Sequence, residues 1–140
     1  MHPHPRRLRV LVVDDCKDTA RTYALLVTLW GHEALVAHDG PTALAMAREH
    51  RPDAVVLDIG LPGRTGWEVA RELRRSPEFA DVPLIAVSGY ATEADRRRSV
   101  EVGLNAHLAK PADPEELHWL LEHPTKPNGT FLFSLRRLGM

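Results

Sequence analysis

The sequence is short of cysteine, of long apolar runs and of net charge. Its single cysteine, Cys16, can form neither an intramolecular disulfide nor a cysteine-rich zinc site, so we expect a reducing, cytoplasmic setting. No apolar stretch approaches the roughly 20 residues of a membrane-spanning helix, and residues 1–7 lead into no signal-peptide core. Eighteen basic against nineteen acidic side chains give a formal charge of −1, which favours neither nucleic acid nor an anionic membrane as a partner.

The chain length predicts about one domain. With 140 residues, 44% of them hydrophobic, the chain can bury a core large enough to fold alone. We place this domain at residues 8–123, between an N-terminal arm at 1–7 and a tail at 124–140 that begins with helix-breaking residues. Three roles stay open for the apolar and basic end of the tail: docking on the domain, pairing two copies into a homodimer, or linking to another module.

Short apolar segments alternate with helical patterns along the domain. Four runs rich in β-branched residues predict buried strands, and a fifth segment predicts a weaker strand by alternation. This order predicts an α/β fold with a five-stranded parallel sheet and helices on both faces. The predicted strands are residues 8–13, 33–38, 54–57, 84–87 and 106–109.

Residues suited to helix ends separate these segments. Gly31 can end the first helix in a left-handed conformation, and Pro41 can open the second, where its missing N–H costs nothing. Three later helices begin with a side chain that can cap free N–H groups, each followed three residues on by an acid. These capping residues are Thr65, Thr92 and Asp113.

Polar side chains follow four of the predicted strands. Asp14 and Asp15 end the first strand and Asp58 ends the third, while Ser88 and Lys110 end the fourth and fifth. Each alone has an ordinary explanation as a turn former, a cap or a solvated charge. Because ligands of open parallel sheets bind beyond the carboxyl ends of the strands, we expect these five side chains to meet at one edge.

Three carboxylates at one edge require a cation. Two of them about 4 Å apart repel by about 4 kcal/mol at an effective dielectric of 20. Carboxylate oxygens and retained water suit Mg²⁺ or Mn²⁺. Phosphoryl transfer needs an in-line nucleophile and positive charge around the phosphoryl oxygens. The pattern therefore predicts a phosphoryl-accepting site with Asp58 as nucleophile, Asp14 and Asp15 as metal ligands, and Ser88 and Lys110 on the phosphoryl oxygens.

Four sequence blocks carry a resemblance to a known family. They are VVDD at 12–15, VLDIGLPG at 56–63 with Gly66, SGY at 88–90 and LAKP at 108–111. In this order they resemble the signature blocks of two-component response-regulator receiver domains over residues 8–121. The resemblance implies a flavodoxin-like fold with strand order 2-1-3-4-5. It also implies a phosphoacceptor module that switches a partner-binding surface, rather than an enzyme with a separate substrate.

The resemblance implies a role for each site residue. Asp58 matches the residue that receives a phosphoryl group from a histidine kinase or phosphotransfer protein. Asp15 and Asp58 match direct Mg²⁺ ligands, the Gly60 carbonyl matches a third, and Asp14 acts largely through water. Ser88 and Lys110 match the switch hydroxyl and the phosphate-binding lysine.

The resemblance also implies the geometry of one peptide bond and the location of the output surface. The Lys110-Pro111 bond is expected to be cis. The output surface is expected to be formed by the fourth helix, the fifth strand and the fifth helix, and its partner is unknown.

Two positions depart from the usual pattern of that family. His107 stands where a switch aromatic usually lies, three residues before the lysine. Since imidazole is flat but titratable, it either alters switching and makes it pH-dependent, or it is a half-exposed strand residue with no switching role. Gly60 stands where many relatives carry a polar side chain, which leaves Tyr90 to position an attacking water.

Other functions fit the residues less well. An aspartyl-phosphate phosphohydrolase or phosphotransferase commonly needs a second acid two residues after the nucleophile, where Gly60 lies. A flavin- or nucleotide-binding module lacks its glycine-rich loop after the first strand. We interpret the arginines at 96–98 as a solvated or partner-binding face rather than a nucleic-acid site, Trp67 as a packing residue, and the scattered histidines as surface residues.

Overall fold

Alternating strands and helices form the chain from residue 9 to residue 122. The computed structural model describes residues 6–89 and 92–123 and the backbone of residues 132–133. The strands are β1 (Arg9–Val13), β2 (Glu33–Ala37), β3 (Ala54–Asp58), β4 (Leu84–Ser88), β5 (Ala106–Ala109) and β6 (Leu132–Phe133). The helices are α1 (Lys17–Leu29), α2 (Gly40–His50), α3 (Gly66–Arg75), α4 (Glu93–Glu101) and α5 (Pro114–Glu122), and a short 3₁₀ turn spans Pro77–Phe79.

The strands pair in the order β2-β1-β3-β4-β5-β6, and every neighbouring pair is parallel. The predicted order 2-1-3-4-5 is therefore confirmed for the first five strands. Because the order reverses at β1, the ends of β1 and β3 lie side by side at the switch point of the sheet, where ligands of such folds bind.

Both faces of the sheet are covered, as the continuous apolar runs predict. Leu11 and Val13 of β1 pack with residues of α2 and α3, whereas Val10 and Val12 of the same strand pack with residues of α1 and α5. Side chains alternate between the two faces because successive residues of a strand point in opposite directions. Two separate cores therefore hold the strand ends in place, one on each face.

The helices begin largely where the capping residues predict. The Thr65 hydroxyl accepts from the N–H of Glu68, and Thr92 forms a complete capping box with Asp95. Asp113 accepts from the N–H of Glu115, two residues on. Gly31 adopts a φ of 91°, the left-handed conformation predicted for the end of α1.

The sixth strand was not predicted. Leu132 and Phe133 lie in the tail and pair with Ala106 and His107 of β5. An edge strand exposes a row of unpaired N–H and C=O groups, and a short extended segment can satisfy part of that row. The homodimer and linker interpretations of the tail are not tested by this pairing, and residues 124–131 and 134–140 lie outside the described residues, as does the arm at 1–5.

Among the helices of the described residues, none combines the length and the apolar character that a membrane span requires.

Candidate phosphoacceptor site

Three carboxylates meet at the switch point of the sheet. Asp14 and Asp15 follow β1 and Asp58 ends β3, and one oxygen of each lies within 4.8 Å of the others. No second group of three such ligands occurs among the residues the structure describes. Three carboxylate oxygens form a hard donor set of the kind that Mg²⁺ accepts, since that ion fills its remaining positions with water or phosphate oxygens.

Asp14 is held firmly by its neighbours. Its side chain is only 2% exposed, and its Oδ1 atom accepts a hydrogen bond from the N–H of Cys16 at 2.9 Å. Its Oδ2 atom accepts from the Lys110 ammonium, also at 2.9 Å. Its carbonyl oxygen lies 2.9 Å from Nδ1 of His38. Both carboxylate oxygens are therefore already engaged, which fits a residue that reaches a cation through water.

Asp58 is also buried but is less tightly engaged. Its Oδ1 atom accepts from the N–H of Gly60 at 3.2 Å, and its Oδ2 atom lies 3.4 Å from the Lys110 nitrogen. Burial raises the pKa of the Asp58 carboxyl and the charge of Asp14 adds to this, while Lys110 and the Gly60 N–H oppose it. Burial and the charge of Asp14 therefore both disfavour the charged form of Asp58.

Lys110 lies between the two buried acids. Burial alone would lower the pKa of its ammonium, but the hydrogen bond to Asp14 and the charge of Asp58 outweigh burial and raise this pKa overall. The backbone N–H of Lys110 donates a hydrogen bond to the carbonyl oxygen of Ser88 at 2.8 Å, which connects the end of β5 to the end of β4. The Lys110-Pro111 peptide bond is cis, as the resemblance implies.

Asp15 is exposed where Asp14 is buried. The two residues are consecutive, so the turn after β1 directs one carboxylate into the domain and the other towards solvent. An exposed carboxylate beside two buried ones leaves an approach for a hydrated ion and for a phosphoryl donor.

A close backbone approach shapes the loop after β3. The N–H of Gly66 bonds to the carbonyl of Ile59 at 2.8 Å, and a Cβ atom at Gly66 would overlap the carbonyl oxygen of Asp58. Only glycine fits there without displacing the backbone that carries Asp58. A Cβ at Gly60, by contrast, would meet no atom of the described residues within 4 Å, so there is open space at this position.

Ser88 ends β4 at the same edge of the sheet and is 5% exposed. Its position beside β3 is set by the pairing of Asp58 with Val87. The structure thus brings Ser88 to the edge that the strand pattern predicts. Tyr90, which the sequence suggested for positioning water, lies outside the described residues.

The burial of His107 contradicts one of the two interpretations of this residue. Its side chain is fully buried, so the predicted half-exposure is wrong, while the presence or absence of a switching role is not tested by its burial. Nδ1 of His107 lies 2.8 Å from the hydroxyl of Ser99 in α4, and the same hydroxyl accepts a hydrogen bond from the indole N–H of Trp67 in α3 at 2.9 Å. The imidazole at the predicted switch position is therefore joined to two helices.

Ser99 was not singled out from the sequence. A lone serine in a helix carries no signal of its own, although its spacing on the inner face of α4 is compatible with burial. The interpretation of the histidines as surface residues is wrong for His107 and also for His32, which is 3% exposed and lies 2.9 Å from Glu122. Trp67 packs against its neighbours as predicted.

Comparison with known proteins agrees with this geometry. The sequence profile of the response regulator receiver domain matches residues 10–122. The chain belongs to the response regulator receiver domain family. Receiver domains of this family are signalling domains of two-component response regulators.

Individual relatives extend the comparison. The receiver domain is 37% identical over 105 residues to the response regulator PleD of Caulobacter vibrioides. The match covers 75% of this chain but only 23% of PleD, so the relative is much longer than the region it shares.

Solved structures show the same fold. The chemotaxis protein CheY4 of Vibrio cholerae superimposes with a TM-score of 0.81 at 27% identity, over 86% of this chain and all of that one. The receiver domain of the sensor histidine kinase PA1611 of Pseudomonas aeruginosa superimposes with a TM-score of 0.76 at 29% identity, over 83% of this chain and 95% of that one. That structure contains a magnesium ion coordinated in its active-site cleft.

Proposed function

We propose that this receiver domain accepts a phosphoryl group on Asp58 in the presence of Mg²⁺ and thereby switches a partner-binding surface. The observation that carries the proposal is the meeting of Asp14, Asp15 and Asp58, with the Lys110 ammonium 2.9 Å from Asp14 and 3.4 Å from Asp58. Such a site supplies a nucleophile and a fixed positive charge, which are the main requirements of phosphoryl transfer.

The chemistry assigns one task to each residue. An Asp58 oxygen forms a bond to phosphorus while the bond from phosphorus to the donor nitrogen or oxygen breaks, and the donor leaves with that electron pair. Asp15, Asp58 and the Gly60 carbonyl would hold Mg²⁺, and the bound ion would neutralise charge on the phosphoryl oxygens. Lys110 and Ser88 bind those oxygens, and Asp14 keeps Lys110 in place through its short ion pair.

The donor class follows from the family. We infer a histidine kinase or a phosphotransfer protein as donor, acting in the cytoplasm, and an output protein that recognises the α4, β5 and α5 surface. The chain acts either as a separate regulator or as part of a longer protein. No distinct substrate is proposed, since position 60 carries no acid that could protonate a leaving group.

Phosphoryl uptake is tested with a small phosphodonor. The protein is incubated with acetyl phosphate and Mg²⁺ and its intact mass is measured. We expect one added phosphoryl group, which is absent in Asp58→Asn and absent when Mg²⁺ is chelated. Asp18→Asn, a change of the same type at an exposed residue of α1, serves as the matched control and is expected to keep full uptake.

Two results would reject the proposal. One is an added phosphoryl mass that persists in Asp58→Asn, because the phosphoryl group would then lie on another residue. The other is continuous phosphate release over many turnovers without an accumulated phosphoprotein, which would instead identify an aspartyl-phosphate phosphohydrolase.

A further inference from the structure

A groove between α3 and α4 lies away from the phosphoacceptor site and has no role in the proposed chemistry. Its volume is about 210 Å³, and its walls carry Arg71 and Arg75 from α3 and Arg98 from α4. A second, shallower depression adjoins it and shares Arg71 and Arg98, while adding Arg97. Together the two depressions form a continuous basic surface across both helices.

The acids of α3 form their ion pairs with other arginines, and Glu68 pairs with Arg64. Glu72 is engaged by Arg64 at 2.8 Å and by Arg48 at 3.2 Å, and these two pairs lower the pKa of its carboxyl although burial opposes them. None of the ion pairs between described residues includes Arg71, Arg75 or Arg98. The guanidinium groups of Arg71, Arg75 and Arg98 can therefore pair with an external anion, on a surface that Glu68 and Glu72 also line.

The Arg98 side chain of the groove is held by contacts within the protein in the absence of a ligand. The guanidinium carbon of Arg98 lies 4.5 Å from the centroid of the Trp67 ring, a cation–π contact. The indole N–H of Trp67 is in turn fixed by the buried hydroxyl of Ser99. An ordered guanidinium loses less conformational entropy on binding a carboxylate than a mobile one does.

We propose that this groove binds an acidic, extended segment of a protein partner. Guanidinium groups pair with carboxylates in a bidentate manner, so spaced glutamate or aspartate side chains can bind Arg71, Arg75 and Arg98 in turn. The guanidinium groups come from two helices and line two adjoining depressions, which suits a ligand with several carboxylates rather than one isolated phosphate. Glu68 and Glu101 also line the two depressions, so a partner with spaced carboxylates fits this mixed surface better than the evenly charged backbone of a nucleic acid does.

The test uses a peptide of alternating glutamate and serine, labelled with a fluorophore, and the corresponding glutamine–serine peptide as uncharged control. Binding is measured by anisotropy on the unphosphorylated full chain. We expect the triple variant R71Q/R75Q/R98Q to weaken binding of the glutamate peptide by about tenfold or more. The matched control R7Q/R21Q/R51Q removes the same number of charges from outside the groove and is expected to change affinity less than about twofold.

A second measurement locates the peptide. The indole N–H resonance of Trp67, assigned by its loss in Trp67→Phe, is expected to shift on addition of the glutamate peptide but not of the glutamine peptide. The single charge reversal Arg71→Glu repeats the affinity test, should the triple variant be unstable. Both measurements are repeated in Asp58→Asn, so that their outcome does not depend on phosphoryl uptake.

Three results would overturn the proposal. Equal loss of affinity in the groove variant and the control variant would show binding to overall charge alone. Equal binding of the glutamate and glutamine peptides would exclude charge recognition. Tighter binding of an oligothymidylate than of the glutamate peptide, lost in the groove variant, would identify a nucleic acid as the occupant instead.

Discussion

Arg74 and Asp58 are both ionisable groups partly withdrawn from water, and their surroundings differ in kind. The Arg74 guanidinium donates to the carbonyls of Phe79, Val82 and Gly103 at 2.6, 2.7 and 2.9 Å, and to the side-chain oxygen of Asn105 at 2.8 Å. Asp58 has one backbone donor at 3.2 Å and a lysine at 3.4 Å, and it faces a second acid.

The difference separates a structural charge from a functional one. Burial lowers the pKa of Arg74 to about 10, so this residue remains charged at neutral pH, and its hydrogen bonds join α3 to the loops before β4 and β5. Burial raises the pKa of Asp58 and its neighbours leave part of its charge uncompensated. A charge that the protein compensates can stabilise the fold, whereas a charge that it compensates only in part could be compensated by a bound cation.

Removal of Arg74 is expected to have the largest effect on stability. Arg74→Met leaves several carbonyl oxygens without their donor, and we expect the free energy of unfolding to fall by about 2–4 kcal/mol. Urea denaturation at neutral pH measures this loss. Arg71 lies on the same helix, is exposed and forms no ion pair with another described residue, so Arg71→Met is expected to change stability by less than about 0.5 kcal/mol. Equal losses in the two variants would contradict the structural role of Arg74.

Addition of Mg²⁺ is expected to compensate the negative charge of the three carboxylates and thereby stabilise the folded protein. At a hundredfold excess over the dissociation constant, a ligand specific for the folded state raises the free energy of unfolding by about 2.7 kcal/mol. We expect this gain in thermal or urea denaturation of the wild type and a much smaller one in Asp58→Asn. A gain of the same size in both proteins would place the ion outside the three carboxylates.

The backbone beneath Asp58 offers a test that involves no charge. Gly66→Ala adds a methyl group 2.8 Å from the Cα atom of Ile59, and we expect a loss of about 1–3 kcal/mol in the free energy of unfolding. Gly89→Ala, where a Cβ would meet nothing within 4 Å, is the matched control. If Gly66→Ala proved as harmless as Gly89→Ala, the close approach at β3 would be refuted.

Removal of the Asp58 charge is expected to have the smallest effect, and the opposite sign to that of Arg74. Because the folded state raises the pKa of Asp58, the ionised carboxyl destabilises the fold at neutral pH, and Asp58→Asn should increase metal-free stability by about 1 kcal/mol or less. The gain should vanish as the pH falls and the wild-type carboxyl becomes protonated. A loss of stability in metal-free Asp58→Asn at pH 7 would contradict the comparison.

The strand ends were predictable from the sequence because apolar runs mark buried strands and a parallel sheet brings their carboxyl ends to one edge. That logic located Asp14, Asp15, Asp58, Ser88 and Lys110 without any contact being known. It could not show that Lys110 pairs more closely with Asp14 than with Asp58, since that choice depends on side-chain geometry.

Contacts between distant elements were beyond sequence reasoning. The link from Trp67 through Ser99 to His107 joins α3, α4 and β5, and no periodic pattern relates three residues so far apart in the chain. The bonds of Arg74 to loop carbonyls are likewise set by tertiary packing. The sixth strand depends on an apolar segment meeting an open sheet edge, which neither partner's sequence specifies alone.

The most direct test of the account is to locate a single divalent ion at the acidic edge. Crystals grown with Mn²⁺ and measured at a wavelength where manganese scatters anomalously would show its position without ambiguity. We expect one peak bound by carboxylate oxygens of Asp15 and Asp58, with the Lys110 ammonium still beside Asp14. A peak elsewhere, or carboxylates that separate instead of sharing the ion, would contradict the account.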